Sequence, residues 1–155
     1  MERAVSMTEV NFYHLTRSTL EQALPRLLEK ALQSGARAVV MAGSAERVES
    51  LNAHLWTYDT DAFLPHGSAK DGNAAQQPVW LTSEEENPNG ATLLFLTDGA
   101  ISQNLAAFAR CFELFDGRDE AAVGRARERW KQLKAEGHAI AYWQQNDKGG
   151  WEKKA

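Results

Sequence analysis

Ala38-Val39-Val40-Met41-Ala42 is an unbroken apolar run, preceded by Arg37 and closed by Gly43-Ser44. A strand with one wet face alternates apolar and polar side chains; this run does not, so it predicts a short strand covered on both faces. Ser44 can accept a hydrogen bond from a free N–H of a first helical turn, which predicts a helix from there through Trp56, with Val48, Leu51 and Leu55 on its apolar side. The same pattern precedes it. Val10 to Leu15 reads as a strand, with Phe12 and Tyr13 supplying β propensity. Ser18 or Thr19 then caps a helix to about Ser34, whose buried stripe is Leu20, Leu24, Leu27, Leu28, Ala31 and Leu32, with Gly35 as its stop. Pro25 falls inside that helix and predicts either a later start or a kink. Two strand–helix units in succession predict a mostly parallel sheet flanked by helices.

Downstream, Thr57 to Gln77 is polar and irregular, longer than most loops of compact domains and therefore a functional candidate. Pro78–Leu81 reads as a short strand, Glu84–Gly90 as a charged turn region and Ala91–Thr97 as a strongly apolar strand. Gln103–Ala109 is expected to be helical, Arg110–Phe115 a strand, Asp119–Glu136 a helix ended by Gly137, and His138–Gln144 a last strand. The 155 residues fit one α/β domain spanning 7–146, with residues 1–6 as a disordered N-terminal extension (Met7 is an alternative start) and 147–155 as a polar tail.

The formal net charge of −4 argues against a general nucleic-acid binder, although it leaves room for a local basic patch. The single cysteine, Cys111, excludes an intrachain disulfide and fits a reducing compartment; within the run Arg110–Phe115 it reads as a small buried hydrophobe. No stretch has the roughly 20 apolar residues of a membrane span, and Met1–Ser6 lacks the apolar core of a signal peptide, so a cytoplasmic protein is expected.

Catalysis needs a constellation of residues, and the common ones are absent from the sequence. Thr16-Arg17-Ser18 after the first strand is not a glycine-rich dinucleotide turn, and Gly43-Ser44 offers one glycine. There is no phosphate-cradling Lys-Ser/Thr loop and no nucleophile elbow. His14, His54, His66 and His138 have no zinc spacing, and Glu84-Glu85-Glu86 reads as a solvated turn. No cofactor, metal or catalytic residue is expected. A nucleotide-binding protein or enzyme remains the alternative, resting on the βα alternation alone.

Two places read as binding sites. The first holds Trp56, Phe63, Pro65 and His66; its aromatics fit equally as interface anchors and as the end of the core. The second is the helix Asp119–Glu136, which carries Arg125, Arg127, Arg129, Trp130, Lys131 and Lys134. Arg127, Lys131 and Lys134 follow at spacings of four and three and share a face, with Trp130 at its edge. Such a face can hold an acidic peptide with an aromatic end, or a phosphate backbone; a solvated helix pairing with Glu120 and Glu128 explains it as well.

At these residues the chain resembles the chi subunits of bacterial DNA polymerase III holoenzyme. The resemblance is carried by Val10-Asn11-Phe12-Tyr13-His14-Leu15, by Leu55-Trp56 followed by Phe63-Leu64-Pro65-His66, and by Ala126-Arg127-Glu128-Arg129-Trp130-Lys131, in that order along residues 7–143. It implies a single-domain, three-layer, mononucleotide-binding-like (Rossmann-like) α/β fold without nucleotide chemistry. It also implies a non-catalytic accessory subunit that joins the clamp loader, through the psi subunit, to single-stranded DNA-binding protein by holding that protein's acidic C-terminal tail. Nucleic acid is then met only indirectly. The resemblance places psi, or a helicase in its stead, at Trp56, Phe63 and Pro65. It places the tail at Arg127, Trp130 and Lys131, with Arg125 or Lys134 compensating for Val123, which stands at a usually basic position.

Overall fold

The computed structural model describes residues 8–59 and 64–155. The expected N-terminal extension and Phe63 lie outside the described residues. Seven strands form one sheet: β1 (Glu9–Leu15), β2 (Ala38–Met41), β3 (Val79–Thr82), β4 (Leu93–Leu96), β5 (Arg110–Asp116), β6 (Ala139–Gln145) and β7 (Trp151–Lys153). Their order is β3-β2-β4-β5-β1-β6-β7; every pairing is parallel except the β6–β7 hairpin. Helices α1 (Leu20–Gln33) and α2 (Ala45–Thr57) cover one face, where Leu24, Leu28, Leu51 and Leu55 meet Val40, Leu81, Phe95 and Leu114. Helix α3 (Glu120–Ala135) and the β4–β5 connection cover the other, where Ala126, Leu133, Leu105 and Phe108 meet Phe12, Val39, Leu94 and Cys111. This is the three-layer, mostly parallel α/β arrangement expected from the βα alternation, with all four residues of β2 buried.

The caps expected at Thr19 and Ser44 form, and the structure adds one at Asp119. Thr19 and Gln22 form a reciprocal capping box at α1, Ser44 accepts from the Arg47 N–H, and Asp119 accepts from Ala121 and Ala122. Gly137, at φ 90°, takes the left-handed position just past α3. Cys111 is fully buried in β5, and burial pushes its thiol up to about 12.

Of the two outcomes expected for Pro25, the later start does not occur: α1 begins at Leu20 and Pro25 is buried within it. Proline has no N–H for the carbonyl four residues back, which is that of Glu21. That carbonyl instead lies 2.6 Å from His54 Nε2, so the α2 ring replaces the missing donor. His54→Ala is therefore expected to cost about 1–2 kcal/mol. It should cost less in a Pro25→Ala background, where the new N–H serves Glu21. Denaturant unfolding of the four variants measures this coupling; equal losses in both backgrounds would break the link between the two residues.

Two further segments differ from expectation. Gln103–Ala109 is not an α-helix; only Leu105–Ala107 forms a single 3-10 turn. The β4–β5 connection joins adjacent parallel strands over a short path, and Leu105, within that turn, and Phe108, in extended chain just after it, cap the sheet. The stretch expected as a polar tail supplies β7, which pairs Trp151 with Gln145 and Lys153 with Trp143 at the sheet edge. At the opposite edge Gly67 bridges to Trp80, so the long polar loop after α2 closes β3 against further pairing.

Candidate docking surfaces

Helix α3 presents different chemistry on its two flanks. On the β6 flank, Trp130 is half-buried, edge-on to Phe12 (ring centroids 5.7 Å apart) and to Tyr142 (5.8 Å). Val123 packs partly buried on the same side of the core. Arg127 is exposed and acts electrostatically on His14 and Tyr142. Among the described residues it makes no ion pair, and Lys134 makes none either. Lys131 has a loose, exposed pair with Glu128 at 4.0 Å, a contact worth little in water. Arg127 thus stands beside half-buried aromatic rings, and Lys131 and Lys134 follow it along α3 at helical spacing.

These rings are held rigidly. His14 Nδ1 lies 2.6 Å from the Tyr142 hydroxyl, and the ring also bonds the backbone of Gly117. A Cβ on Gly117 would overlap the His14 ring, so glycine is what lets the β5–α3 turn close over it. Burial lowers the His14 pKa below the usual histidine value, and the Arg127 charge adds to this, against the Gly117 bond and Asp116. The ring beside Arg127 is thereby kept from adding its own charge around neutrality.

The other cations of α3 diverge from this face. Arg125 turns to the opposite flank, beside Gly99. Arg129 points inward, where its Nε donates to Glu113 Oε1 at 3.1 Å in a pair whose side chains are 12% and 10% exposed. The signal for that pair was available: Glu113 is a lone carboxylate inside an apolar strand, which requires a cation from the covering helix.

The second surface lies across the molecule. Trp56 is 51% exposed at the end of α2, so it does not finish the core. Its ring rests on His66 with centroids 4.2 Å apart. His66 is buried, with Nδ1 2.6 Å from the Leu64 carbonyl and Nε2 3.0 Å from that of Asn52. The loop and α2 together fix the ring on which Trp56 stands. Pro65 is half-buried and borders a shallow groove with Leu32, Gly35 and Pro78.

The turn after β1 also has a definite arrangement. The N–H groups of Thr16, Arg17 and Ser18 all donate to Gln145 Oε1, at 3.1, 3.0 and 3.0 Å. Gln145 Nε2 reaches the Ser18 hydroxyl, and Thr16 Oγ1 donates to the Gln145 carbonyl. Three convergent N–H groups are what a phosphate-binding turn offers an oxyanion. Here they hold the chain's own amide, from a residue that no local pattern would have singled out.

Fold and surfaces define a three-layer α/β protein whose conspicuous exposed features are a cation-and-aromatic helix flank and a tryptophan platform. Residues 7–141 match the family model of the DNA polymerase III chi subunit, HolC. The chain is 37% identical over 90 residues to the probable DNA polymerase III subunit chi of Rickettsia prowazekii, covering 58% of this chain and 54% of that one, about half its length. It is 28% identical to the DNA polymerase III subunits chi of Haemophilus influenzae and Pseudomonas aeruginosa, covering 81% and 86% of this chain and 90% and 94% of theirs. The chain belongs to the family of DNA polymerase III chi subunits, accessory subunits of replication. Among the described residues no helix is long and apolar enough to cross a membrane.

Proposed function

We propose that this chain is a non-catalytic adaptor of the replicative polymerase. It links the clamp loader, through psi, to single-stranded DNA-binding protein by holding the acidic C-terminal tail of the latter. The observation that supports this best is the β6 flank of α3: Arg127 and Lys134 without ion-pair partners among the described residues, Lys131 loosely paired, and Trp130 set against Phe12 and Tyr142. Unpaired cations are ready to take tail carboxylates, and a half-buried indole offers apolar surface to a terminal aromatic residue. Arg125, on the other flank, is not part of this reading. The exposed Trp56 on its His66 support, with Pro65 nearby in sequence, is the surface for psi or for a helicase in its place.

Titration calorimetry with a synthetic acidic tail peptide tests the reading. Wild type should bind in the micromolar range. Arg127→Ala should lose about 1.5–3 kcal/mol, roughly ten- to a hundredfold in affinity, without loss of fold. Lys131→Ala should act in the same direction, and both effects should shrink as salt rises. Absence of binding by folded wild type at low salt would remove the tail from the function and leave the Trp56 surface as the docking site.

A further inference from the structure

The protons of the His14–Tyr142 pair can be placed. A neutral imidazole carries one N–H and leaves its other nitrogen as an acceptor. His14 Nε2 faces Gly117, whose own N–H is taken by the Leu15 carbonyl. The ring's bond to the Gly117 backbone favours the charged imidazole, so it is the ring N–H that donates, to the Gly117 carbonyl. Nδ1 is then the acceptor, and the Tyr142 hydroxyl 2.6 Å away donates to it. Tyr142 therefore commits its one O–H to His14 and has only lone pairs left for anything on the flank. The Tyr142 ring lies edge-on to Trp130, one turn of α3 after Arg127.

Few charged or titratable groups face the imidazole. Arg127 comes from α3, Asp116 from the end of β5 and Tyr142 from β6; Phe115 packs against the ring with centroids 5.0 Å apart and brings no charge. Burial and the Arg127 cation hold His14 neutral, against the Gly117 bond and Asp116. A carboxylate seated on Arg127 removes one of these restraints, because it offsets the cation and brings negative charge to the same place. Among the described residues Arg127 has no ion-pair partner to be displaced first.

We infer, from the acidic-tail reading of this flank, that His14 is its proton sensor. When an acidic chain occupies Arg127, His14 Nδ1 takes a proton from solvent, its bond to Tyr142 reverses, and the freed Tyr142 O–H becomes a donor to a carboxylate of that chain. Binding therefore tightens as pH falls from neutrality. The sign is diagnostic, since the carboxylates of the bound chain titrate at about 4 and their protonation weakens binding on acidification.

Titration calorimetry of the full chain with a synthetic acidic tail peptide tests this, at about pH 7.5 and about pH 5.5 and in two buffers of different ionisation enthalpy. Wild type should bind about three- to tenfold more tightly at the lower pH and take up a fraction of a proton, since peptide and proton each change the affinity for the other by one factor. His14→Gln keeps an acceptor for Tyr142 and a donor for Gly117 but has no titrating group. Its pH slope and its proton uptake should vanish, whatever its affinity at neutrality. NMR of the histidine ring signals follows His14 in the wild-type chain, where saturating peptide should raise its pKa. Three results would each overturn the sensor while the tail reading stands: tail binding by wild type without proton uptake, a His14 titration that peptide leaves unmoved, or a pH slope kept in folded His14→Gln, which would pass the effect to His138 beside Glu136. Absence of binding at both pH values would strike the tail reading itself, and the sensor with it.

Discussion

Arg129→Met is expected to destabilise the fold by about 3–5 kcal/mol, the usual cost of leaving one member of a buried ion pair without the other. Glu113 lies on β5 beneath α3, where burial pushes its carboxyl above the usual carboxylate range and Arg129 pulls it partly back. Without Arg129 the shift grows. The folded variant then keeps a proton that the unfolded chain releases above about pH 4.3. A carboxyl whose folded pKa is raised contributes most to stability below the unfolded pKa, and that contribution is lost as pH rises through the folded value. The deficit of Arg129→Met should accordingly be largest at pH 8 and smaller at pH 5, as urea unfolding at the two values will measure. A small deficit equal at both pH values would mean that solvent reaches the carboxylate. Replacing both partners, as Glu113→Leu with Arg129→Met, should recover most of the loss, because no orphaned charge remains.

Gln145→Ala should cost about 2–3 kcal/mol, since one side-chain oxygen serves three backbone donors in the β1–α1 turn. Gln145→Glu should retain most of the stability: a carboxylate accepts from the same three N–H groups, and the Ser18 hydroxyl can rotate to donate to it. Amide exchange separates the cases. The Thr16, Arg17 and Ser18 amides should exchange faster in the alanine variant and stay protected in the glutamate variant. Wild-type protection in both would mean that the turn is held by something other than this oxygen.

These two residues also mark where sequence reading stopped. Alternation of apolar runs with capped helices revealed the α/β class, because Thr19 and Ser44 act on donors within four residues of themselves. The i, i+4 spacing likewise placed Arg127 and Lys131 on one flank. Arg129 lies two residues from each, and only the partner on β5, 16 positions back, turns it inward. Gln145 meets a turn 127–129 residues upstream. Pro25 is a defect on local grounds alone, because its remedy, His54, comes from the neighbouring helix. The helix expected over Gln103–Ala109 had propensity in its favour and was overruled by the path from β4 to β5. What escaped was in each case a long-range contact; what was legible was settled within one or two turns of chain.

The position of β1 between β5 and β6 has a consequence for synthesis. Val10 pairs with Cys111 and Ile140, so both ladder edges of β1 wait for partners made at least 101 residues later. At roughly 5–20 residues per second, translation leaves β1 without a neighbouring strand for about 5–20 s after it is made. The β2, β3 and β4 pairings can assemble in the meantime, and only release of the C-terminal third lets the first strand enter the sheet. Completion of the sheet therefore waits on β5 and β6, and until then the nascent chain carries an unpaired, aromatic strand that a chaperone can bind.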